Sequence, residues 1–308
     1  MKLLDGSSES WPEAGDMSSV TIGVLDGVHL GHRALLAHLD DSMTPTVMTF
    51  DPHPVEILRP GTPPRLITNI AERTALLDAA GVQCVGVLDL AEIKEQTPRE
   101  FVDAILVDKL NVGHLVVGED FRFGKDRAGD VGMLLASGRE LGFSVEVIGL
   151  VADAESAVSS SRIRGLIEAG EVAAASTLLD SWFTVTNPVI EGDRRGRDLG
   201  FPTANIRPPD RKVVPGTGVY SCFATVRGVR YDAAVSVGVR PTFGGGELLI
   251  EAFLFDFQDD IYGNELTIEF VEYTRPELKF SGVDDLIAQM EKDVAVSRVV
   301  LESARSQI

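Results

Sequence analysis

The sequence predicts two domains, an α/β domain with a parallel sheet and an antiparallel β domain, either a sheet or a small barrel, with a terminal helix. The chain has 308 residues, which corresponds to about two domains of typical size. Short apolar runs alternate with amphipathic stretches in the first half, whereas in the second half only turn residues separate the apolar runs. The change of pattern near residues 180–184 predicts domains of 1–182 and 183–308.

The predicted strands of the first domain are short apolar runs bounded by Gly, Pro or Asp. They span residues 20–25, 46–50, 82–88, 114–117 and 144–150. Two helices between them have start signals: Thr97 and Glu100 form a capping box around Pro98, and Asn69 with Glu72 resembles one. This alternation predicts a parallel sheet covered on both faces, with ligands at the carboxyl ends of its strands.

The predicted strands of the second domain span residues 184–191, 219–226, 231–237, 249–255 and 266–271. Because turn residues alone separate them, neighbouring strands are expected to pair antiparallel. A final helix is predicted from about residue 283. Its apolar stripe comprises Val283, Ile287, Met290, Val294 and Leu301.

The composition excludes some partners. There are 28 Lys+Arg against 47 Asp+Glu, a net charge of −19, with −14 in residues 1–183 and −5 in residues 184–308. Such acidity repels nucleic acids and anionic membranes, so we expect neither as a partner. Cys84 and Cys222 lie far apart without metal-type spacing, and no segment has the pattern of a signal peptide or membrane helix. A cytoplasmic location is expected, and the sequence leaves self-association open.

The segment GVHLGH, residues 27–32, follows the first predicted strand and begins a predicted helix. Free amides and the helix dipole attract anions there, and Gly31 lets a phosphate approach the backbone. His29 and His32 share a helix face from which imidazoles can donate to phosphate oxygens. The alternative is a surface turn with incidental histidines. The position after the first strand, preceded by Asp26, favours a functional role.

Residues 192–205 concentrate three arginines and three glycines in an otherwise acidic chain. A flexible basic loop beside a strand suits a polyphosphate, although a solvated turn is the ordinary interpretation of a charge cluster. Thr203 and Asn205 offer hard oxygens on one side of an extended segment, which suits Mg²⁺. No Walker A sequence is present, so a P-loop enzyme is not expected.

Glu251 lies on the aromatic face of a predicted strand with Phe253 and Phe255, while aliphatic residues occupy the other face. A carboxylate in such surroundings is costly unless it has a partner or a function. The alternative is an exposed charge on an edge strand. Glu251 is therefore a candidate functional carboxylate.

Motifs along nearly the whole chain resemble those of the bacterial bifunctional riboflavin kinase/FMN adenylyltransferases, or FAD synthetases. In order they are TIGVLDGVHLGH (21–32), TFDPHP (49–54), VGEDFRFG (117–124), SSSRIR (159–164), FPTAN (201–205), GVRPTF (238–243) and YG (262–263). Leu25, Ser161 and Ser236 depart from the usual Phe, Thr and Asn. The resemblance implies a Rossmann-like nucleotidyltransferase domain followed by a β-barrel riboflavin kinase domain with a terminal helix.

The resemblance also implies two reactions that use ATP and Mg²⁺. The second domain would phosphorylate riboflavin to FMN, and the first would adenylylate FMN to FAD and release pyrophosphate. Glu251 would accept the proton of the ribityl hydroxyl, since a neutral nucleophile gains from a base. His29 and His32 would stabilise charge on phosphates, because the attacking FMN phosphate is already ionised and needs no base.

The remaining expected site residues fall into three sets. The ATP- or phosphate-binding set is Gly23, Asp26, Gly31, Ser161, Arg162, Arg164, Gly192, Arg194, Arg197 and Gly200. The Mg²⁺ ligands are Thr203 and Asn205. His53, Asp120 and Phe121 are expected to contact flavin or ATP, although His53 between two prolines suits a structural role equally and Asp120 suits a turn equally.

Two other functions are compatible with some of these features. The first domain could transfer a nucleotide to another phosphorylated acceptor, because the HxGH pattern is not specific for the acceptor. The chain could also bind or store flavin without turnover. The downstream kinase motifs favour flavin as the substrate, and the intact His29, His32, Thr203, Asn205 and Glu251 argue against a protein without turnover.

Overall fold

The computed structural model describes residues 1–5, 16–154, 156–192, 200–242 and 245–306. The chain packs as two units. Unit 1 comprises Met1–Pro64 and Thr68–Ser160, and unit 2 comprises Arg65–Ile67 and Ser161–Ile308. Packing thus divides the chain near residue 160, whereas the functional boundary at 182/183 stays a prediction.

Unit 1 contains a six-stranded parallel sheet in the order β1-β4-β3-β2-β5-β6. Its strands are β1 Lys2–Asp5, β2 Ser18–Ile22, β3 Thr44–Phe50, β4 Cys84–Leu88, β5 Val112–Gly118 and β6 Ser144–Ile148. The predicted parallel sheet is confirmed. Strand β1 was not predicted, because this short edge strand has no buried apolar run and its Leu3 is 58% exposed.

The helices of unit 1 lie between these strands. They are α1 Leu30–Leu36, α2 Pro54–Leu58, α3 Ile70–Ala79, α4 Leu90–Ile93, α5 Pro98–Phe101, which continues as a π-helix Val102–Lys109, a 3₁₀ turn Lys125–Arg127, and α6 Val131–Leu141. Both expected capping boxes are present, at Thr97 with Glu100 and at Asn69 with Glu72. Val47 and Met48, neighbours on β3, belong to separate buried clusters, so apolar residues cover both faces of the sheet.

The strand order changes direction between β2 and β5, and ligands bind at such a switch point on the carboxyl side of the strands. The segments that leave β2, β3 and β5 at this edge begin at residues 23, 51 and 119. They contain three of the motifs found in the sequence. The topology therefore gathers these motifs at the ligand-binding edge.

Unit 2 contains a six-stranded antiparallel sheet in the order β7-β12-β9-β10-β11-β8. Its elements are α7 Ser160–Glu168, of which Ser160 belongs to unit 1, α8 Val172–Leu179, β7 Phe183–Pro188, β8 Ala204–Ile206, β9 Gly218–Val226, β10 Val229–Thr242, β11 Gly245–Leu254, β12 Glu265–Arg275 and α9 Val283–Ala304. The Ile190 amide, just after β7, donates to the Asn205 carbonyl in β8 at 2.8 Å. This bridge joins the two edges of a curled sheet, and the expected barrel-like fold is confirmed.

The terminal helix α9 is confirmed, and its buried face matches the predicted stripe in part, at Leu301. Asp293, Ser297, Leu301 and Ala304 are buried, whereas Val283 is 55% exposed. The polar members of the buried face have partners: Arg275 donates to both Asp293 oxygens at 2.8 and 2.6 Å, and Ser297 bonds Ser221 at 2.9 Å. The periodicity of apolar residues could not predict that Asp293 and Ser297 are buried, because these residues are polar and are buried with polar partners.

Three residues of the amino-terminal half pack with unit 2, and we call Arg65–Ile67 the strap. The Leu66 amide donates to the Arg211 carbonyl at 2.6 Å, and the Val213 amide donates to the Leu66 carbonyl at 2.8 Å. The buried Lys212 ammonium donates to the Ile67 carbonyl at 2.7 Å.

Within the described residues, no helix combines the length and the apolar character needed to cross a bilayer. Cys84 and Cys222 are both buried and not disulfide-bonded.

Candidate active sites

The loop between β2 and α1 has an unusual backbone. Leu25, Gly27 and Val28 have φ angles of 50°, 86° and 43°. Positive φ is rare for a β-branched residue and persists only where surrounding contacts hold it. Leu25 and Val28 are 1% and 0% exposed, so apolar packing fixes the loop in this shape.

A polar clamp fixes the same loop from the side. Asp26 Oδ1 accepts hydrogen bonds from the Thr68 amide at 2.8 Å and from Thr68 Oγ1 at 3.1 Å. The Gly27 amide donates to Thr68 Oγ1 at 2.9 Å, and Ser160 Oγ donates to the Asp26 carbonyl at 2.9 Å. Asp26 is 1% exposed. Its carboxylate shapes the loop, and its contact with ATP stays a prediction.

The two histidines lie at the start of α1 with their rings stacked, 3.6 Å between centroids and 17° between planes. A Cβ at Gly31 would lie 3.1 Å from His29 Cε1, so the glycine makes room for the ring. Burial, the His29 ring and the Arg73 guanidinium lower the pKa of His32 well below its usual value. His32 is therefore neutral at pH 7, with one ring N–H to donate. We call His29 and His32 with the loop before them the histidine site.

Other expected residues of unit 1 lie at the same sheet edge. The Gly23 amide, after β2, donates to the Met48 carbonyl at 3.0 Å. Asp120 is exposed in a turn closed by a 3.0 Å bond from the Phe121 amide to the Gly118 carbonyl. The Phe121 ring stacks on Phe123 at 5.9 Å. Contacts of Asp120 and Phe121 with flavin or ATP stay predictions.

His53 has a structural role in α2. Its Nδ1 accepts from the Val55 amide at 3.2 Å, and Glu56 Oε1 accepts from the His53 amide at 2.8 Å, which completes a capping box. Of the two roles expected for His53, the structural one is present. A contact with flavin stays a prediction.

The predicted phosphate-binding residues Ser161, Arg162 and Arg164 lie in the first two turns of α7, which packs with unit 2. Arg164 Nη2 donates to Ser161 Oγ at 3.2 Å. Both arginines are half-buried. Their action on an ATP bound at the histidine site stays a prediction.

In unit 2 the strand register brings the predicted kinase residues together. Glu251 in β11 lies opposite Asn205 in β8 and Ser236 in β10. The expected alternation is confirmed: the aliphatic neighbours of Glu251 are buried, while Glu251 and Phe253 are half-buried on the other face, where Phe255 is buried. We call Glu251, Thr203 and Asn205 the carboxylate site.

Two cavities open at the carboxylate site. The first, about 260 Å³, is lined by Glu251, by aromatic residues that include Phe201 and Phe253, and by the Arg275–Asp293 pair. The second, about 600 Å³, is lined by Tyr262, Phe257 and two aspartates. Thr203 lines both cavities, so the two cavities lie on either side of this residue.

Asn205 has a feature expected of a metal ligand. The residue is 5% exposed, and its Oδ1 is buried without a hydrogen-bond partner in the described structure, while its Nδ2 donates to the Thr203 carbonyl at 3.3 Å. A buried acceptor without a donor costs about 1–3 kcal/mol. A cation at this oxygen would remove that cost, so the residues present fit Mg²⁺. The described residues contain no group of three or more His, Cys, Asp or Glu suited to a metal.

The glycines of the basic segment differ in their surroundings. A Cβ at Gly192 would lie 2.4 Å from Asn205 Nδ2, so this position requires glycine for the close approach. Gly200 is exposed with a φ of 83°. Arg194 and Arg197 lie outside the described residues.

Two residues at the histidine site were not predicted, Thr68 and Arg73. Thr68 holds the loop through Asp26 and Gly27, as described above. Arg73 in α3 is 2% exposed. A signal for Arg73 exists in the sequence, because it lies four residues before the buried Leu77 and so shares the apolar face of its helix.

Known proteins resemble the chain over nearly its full length. The FAD synthetase family model matches residues 12–162, and the riboflavin kinase model matches residues 179–301. The bifunctional riboflavin kinase/FMN adenylyltransferase of Listeria monocytogenes is 36% identical, with 93% of each chain covered. That of Pseudomonas fluorescens is 37% identical over 97% of this chain and 98% of its own.

The chain belongs to the bifunctional riboflavin kinase/FMN adenylyltransferase family. The predicted family and the order of its two domains are confirmed. A crystal structure described as a macrolide-efflux protein from Streptococcus pneumoniae has the same fold, with a TM-score of 0.87 and 31% identity over 97% of this chain and 99% of that one.

The family domains coincide with the two sites. The FAD synthetase match contains the histidine site and ends at Arg162, two residues before Arg164. The riboflavin kinase match contains the carboxylate site, both cavities and most of α9. Each of the two family activities therefore has its own candidate site in this chain.

Proposed function

We propose that this chain makes FMN and then FAD, with ATP as the second substrate of both reactions. The carboxylate site phosphorylates riboflavin, and the histidine site adenylylates FMN, with residues 1–182 and 183–308 as the functional domains. The observation that carries the proposal is the Asn205 Oδ1, which has no hydrogen-bond partner among the described residues and lies opposite Glu251, beside the residue that two cavities share. Family membership supports both activities.

Riboflavin phosphorylation needs a base because its nucleophile is neutral. The ribityl hydroxyl oxygen attacks the γ-phosphorus of ATP, the bond to the β-phosphate oxygen breaks, and ADP leaves. Glu251 takes the hydroxyl proton. The aromatic lining of the first cavity suits the flavin ring, and the second cavity with Tyr262 and Phe257 suits the nucleotide. The reacting oxygen then lies next to Thr203.

FMN adenylylation needs no base because its nucleophile is an ionised phosphate. A phosphate oxygen of FMN attacks the α-phosphorus of ATP, and pyrophosphate leaves. His29 and His32 donate to the phosphate oxygens on which charge accumulates. The packed and clamped loop holds the two imidazoles in place before ATP binds, which avoids reorganisation during the reaction.

Kinases and nucleotidyltransferases use ATP and typically a divalent metal ion. For this chain we propose Mg²⁺, held by Thr203 and Asn205 in unit 2. It would neutralise charge on the transferred phosphates. Hard oxygen donors and the retention of several waters are typical of this ion.

The proposed partners are riboflavin, FMN and ATP, with neither nucleic acid nor membrane as a ligand. The net charge of −19 supports this restriction. We propose a cytoplasmic location, which the two cysteines without disulfide bonds support.

The test is to incubate the full chain with riboflavin, ATP and MgCl₂ and to separate the flavins by chromatography. FMN should appear first and FAD second, and FMN supplied directly should give FAD. Bound but unchanged riboflavin would indicate a storage protein. FMN formation without FAD would indicate another phosphorylated acceptor. Either of these results would contradict the proposal.

A further inference from the structure

Within the described part of the chain, Arg73 is a buried cation whose hydrogen-bond partners are all neutral. Its Nη1 donates to Thr49 Oγ1 at 3.1 Å and to the Phe50 carbonyl at 3.3 Å, and its Nη2 donates to the Thr68 carbonyl at 3.3 Å. Its Nε is buried without a partner among the described residues. A buried charge without a directly bonded counter-ion is unfavourable, so packing alone does not explain an arginine here.

The three acceptors belong to two segments that build the histidine site. Thr49 and Phe50 end β3 at the ligand-binding edge of the sheet. Thr68 is the residue that clamps Asp26 and Gly27. One guanidinium therefore connects the end of a strand to the loop that presents the histidines.

The charge of Arg73 also acts on the histidines. Burial lowers the pKa of Arg73, while Asp26 and Asp51 raise it, and the group stays protonated. Arg73 from α3 and His29 from the start of α1 are the charged or titratable groups that lower the pKa of His32, in addition to burial. A fixed positive charge thus lies near a site that must bind a polyanion.

We propose that Arg73 is a positioning residue for adenylyl transfer, which holds the clamp and the β3 end in place and supplies a permanent positive charge near the imidazoles. The inference rests on the proposed function of the histidine site. Among the described residues no carboxylate is hydrogen-bonded to the Arg73 guanidinium, so its positive charge can still attract the triphosphate. The bound phosphates would supply the counter-charge that the described residues around Arg73 do not supply by direct contact.

The test compares Arg73→Gln, Arg73→Lys and the control Arg99→Gln in the full chain. Arg99 is an exposed helical arginine of unit 1 that pairs with Asp103 and Glu140. Arg73→Gln should lower kcat/KM for FMN adenylylation about 10²-fold, comparable to the loss of a preorganised donor. Arg73→Lys should recover at least part of it, and Arg99→Gln should match the wild type. Riboflavin phosphorylation, measured in the same preparations, should not change.

A second readout separates positioning from mere structural support. The chain has five histidines, so an NMR titration can resolve His32. Arg73→Gln should raise the pKa of His32, Arg73→Lys should leave it low, and both should keep the amide spectrum of β2 and β3.

Full adenylylation in Arg73→Gln would overturn the proposal, and so would an unchanged His32 pKa in a folded Arg73→Gln chain. Should Arg73→Gln not fold, Arg73→Lys decides: a folded lysine variant with no more activity than a His29→Ala/His32→Ala chain overturns the proposal, and a partly active one supports it. Failure of the proposed function is a separate result, because the wild type would then make no FAD from FMN.

Discussion

The histidine site presents two stacked imidazoles near a buried arginine, whereas the carboxylate site presents Glu251 opposite the hard oxygen of Asn205. Both would handle ATP, yet their residues differ because their nucleophiles differ. A phosphate is already ionised and needs donors and positive charge around it. A hydroxyl is neutral and needs a carboxylate that accepts its proton. The charge of the nucleophile, more than the shared nucleotide, accounts for the side chains at each site.

The two sites also differ in what holds them. A loop with three positive φ angles presents the histidines and depends on buried Leu25 and Val28 and on the Thr68 clamp. Paired strands carry Glu251 and Asn205, whose spacing follows from the sheet register. The backbone hydrogen bonds between paired strands position the residues on them, so the carboxylate site needs fewer supporting side chains.

The largest expected effect is at Glu251. Glu251→Gln keeps the shape of the side chain but cannot accept a proton, so riboflavin phosphorylation should fall about 10²–10⁴-fold. FMN adenylylation by the same chain should be unchanged. The control Glu272→Gln, on the exposed surface of β12, should affect neither rate. Loss of both activities in Glu251→Gln would contradict the assignment of the two reactions to separate sites.

Removal of both imidazoles should have the opposite selectivity. His29→Ala with His32→Ala should lower FAD formation from FMN by at least about 10²–10³-fold, since preorganised donors are lost. FMN formation should persist, and His38→Ala, an exposed histidine, serves as the control. If the double variant keeps its adenylylation activity, the two histidines do not take part in the reaction.

A smaller effect is expected from Gly192→Ala. The added Cβ would displace the Asn205 amide, and small misplacements of reacting groups cost roughly tenfold or more in rate. Phosphorylation should slow and require more MgCl₂, which a Mg²⁺ titration of the rate would measure. Gly165→Ala adds a methyl group in open space on α7 and should change nothing. If the rate depends on the Mg²⁺ concentration equally in both variants, Asn205 is not a ligand of the metal.

The smallest effect concerns stability and pH. The folded His32 has a lowered pKa, so below pH about 6.5 the unfolded chain binds a proton that the folded chain does not. The free energy of unfolding should therefore fall as pH falls, by up to about 1.4 kcal/mol per pH unit from this residue. Hydrogen exchange of β2 and β3 amides at pH 5 to 7 would measure it. His32→Gln should show a weaker dependence, and an identical slope would contradict the assignment.

Sequence patterns could predict the parallel sheet, the antiparallel sheet, both capping boxes and the positions of the motifs. Local signals carry these features: apolar runs, cap residues and glycines with a fixed spacing. Tertiary partners determine the rest. Arg73 and Thr68 join the histidine site from a distant segment, and Asp293 occupies the buried face of α9 because Arg275 neutralises it. His53 shows another limit of sequence-based prediction, because the same residue in the motif can cap a helix or contact a ligand.

The strap has a consequence for any attempt to divide the chain into two separate polypeptides. A fragment that begins at residue 183 would lack Leu66, whose backbone pairs with residues 211 and 213. It would also lack the Ile67 carbonyl, which accepts a hydrogen bond from the buried Lys212 ammonium. It would also lack α8, whose Ser176 hydroxyl accepts from the Phe183 amide at 3.4 Å. Division of the chain at residue 183 would therefore leave the backbone of residues 211 and 213 and the Lys212 ammonium with fewer hydrogen-bond partners.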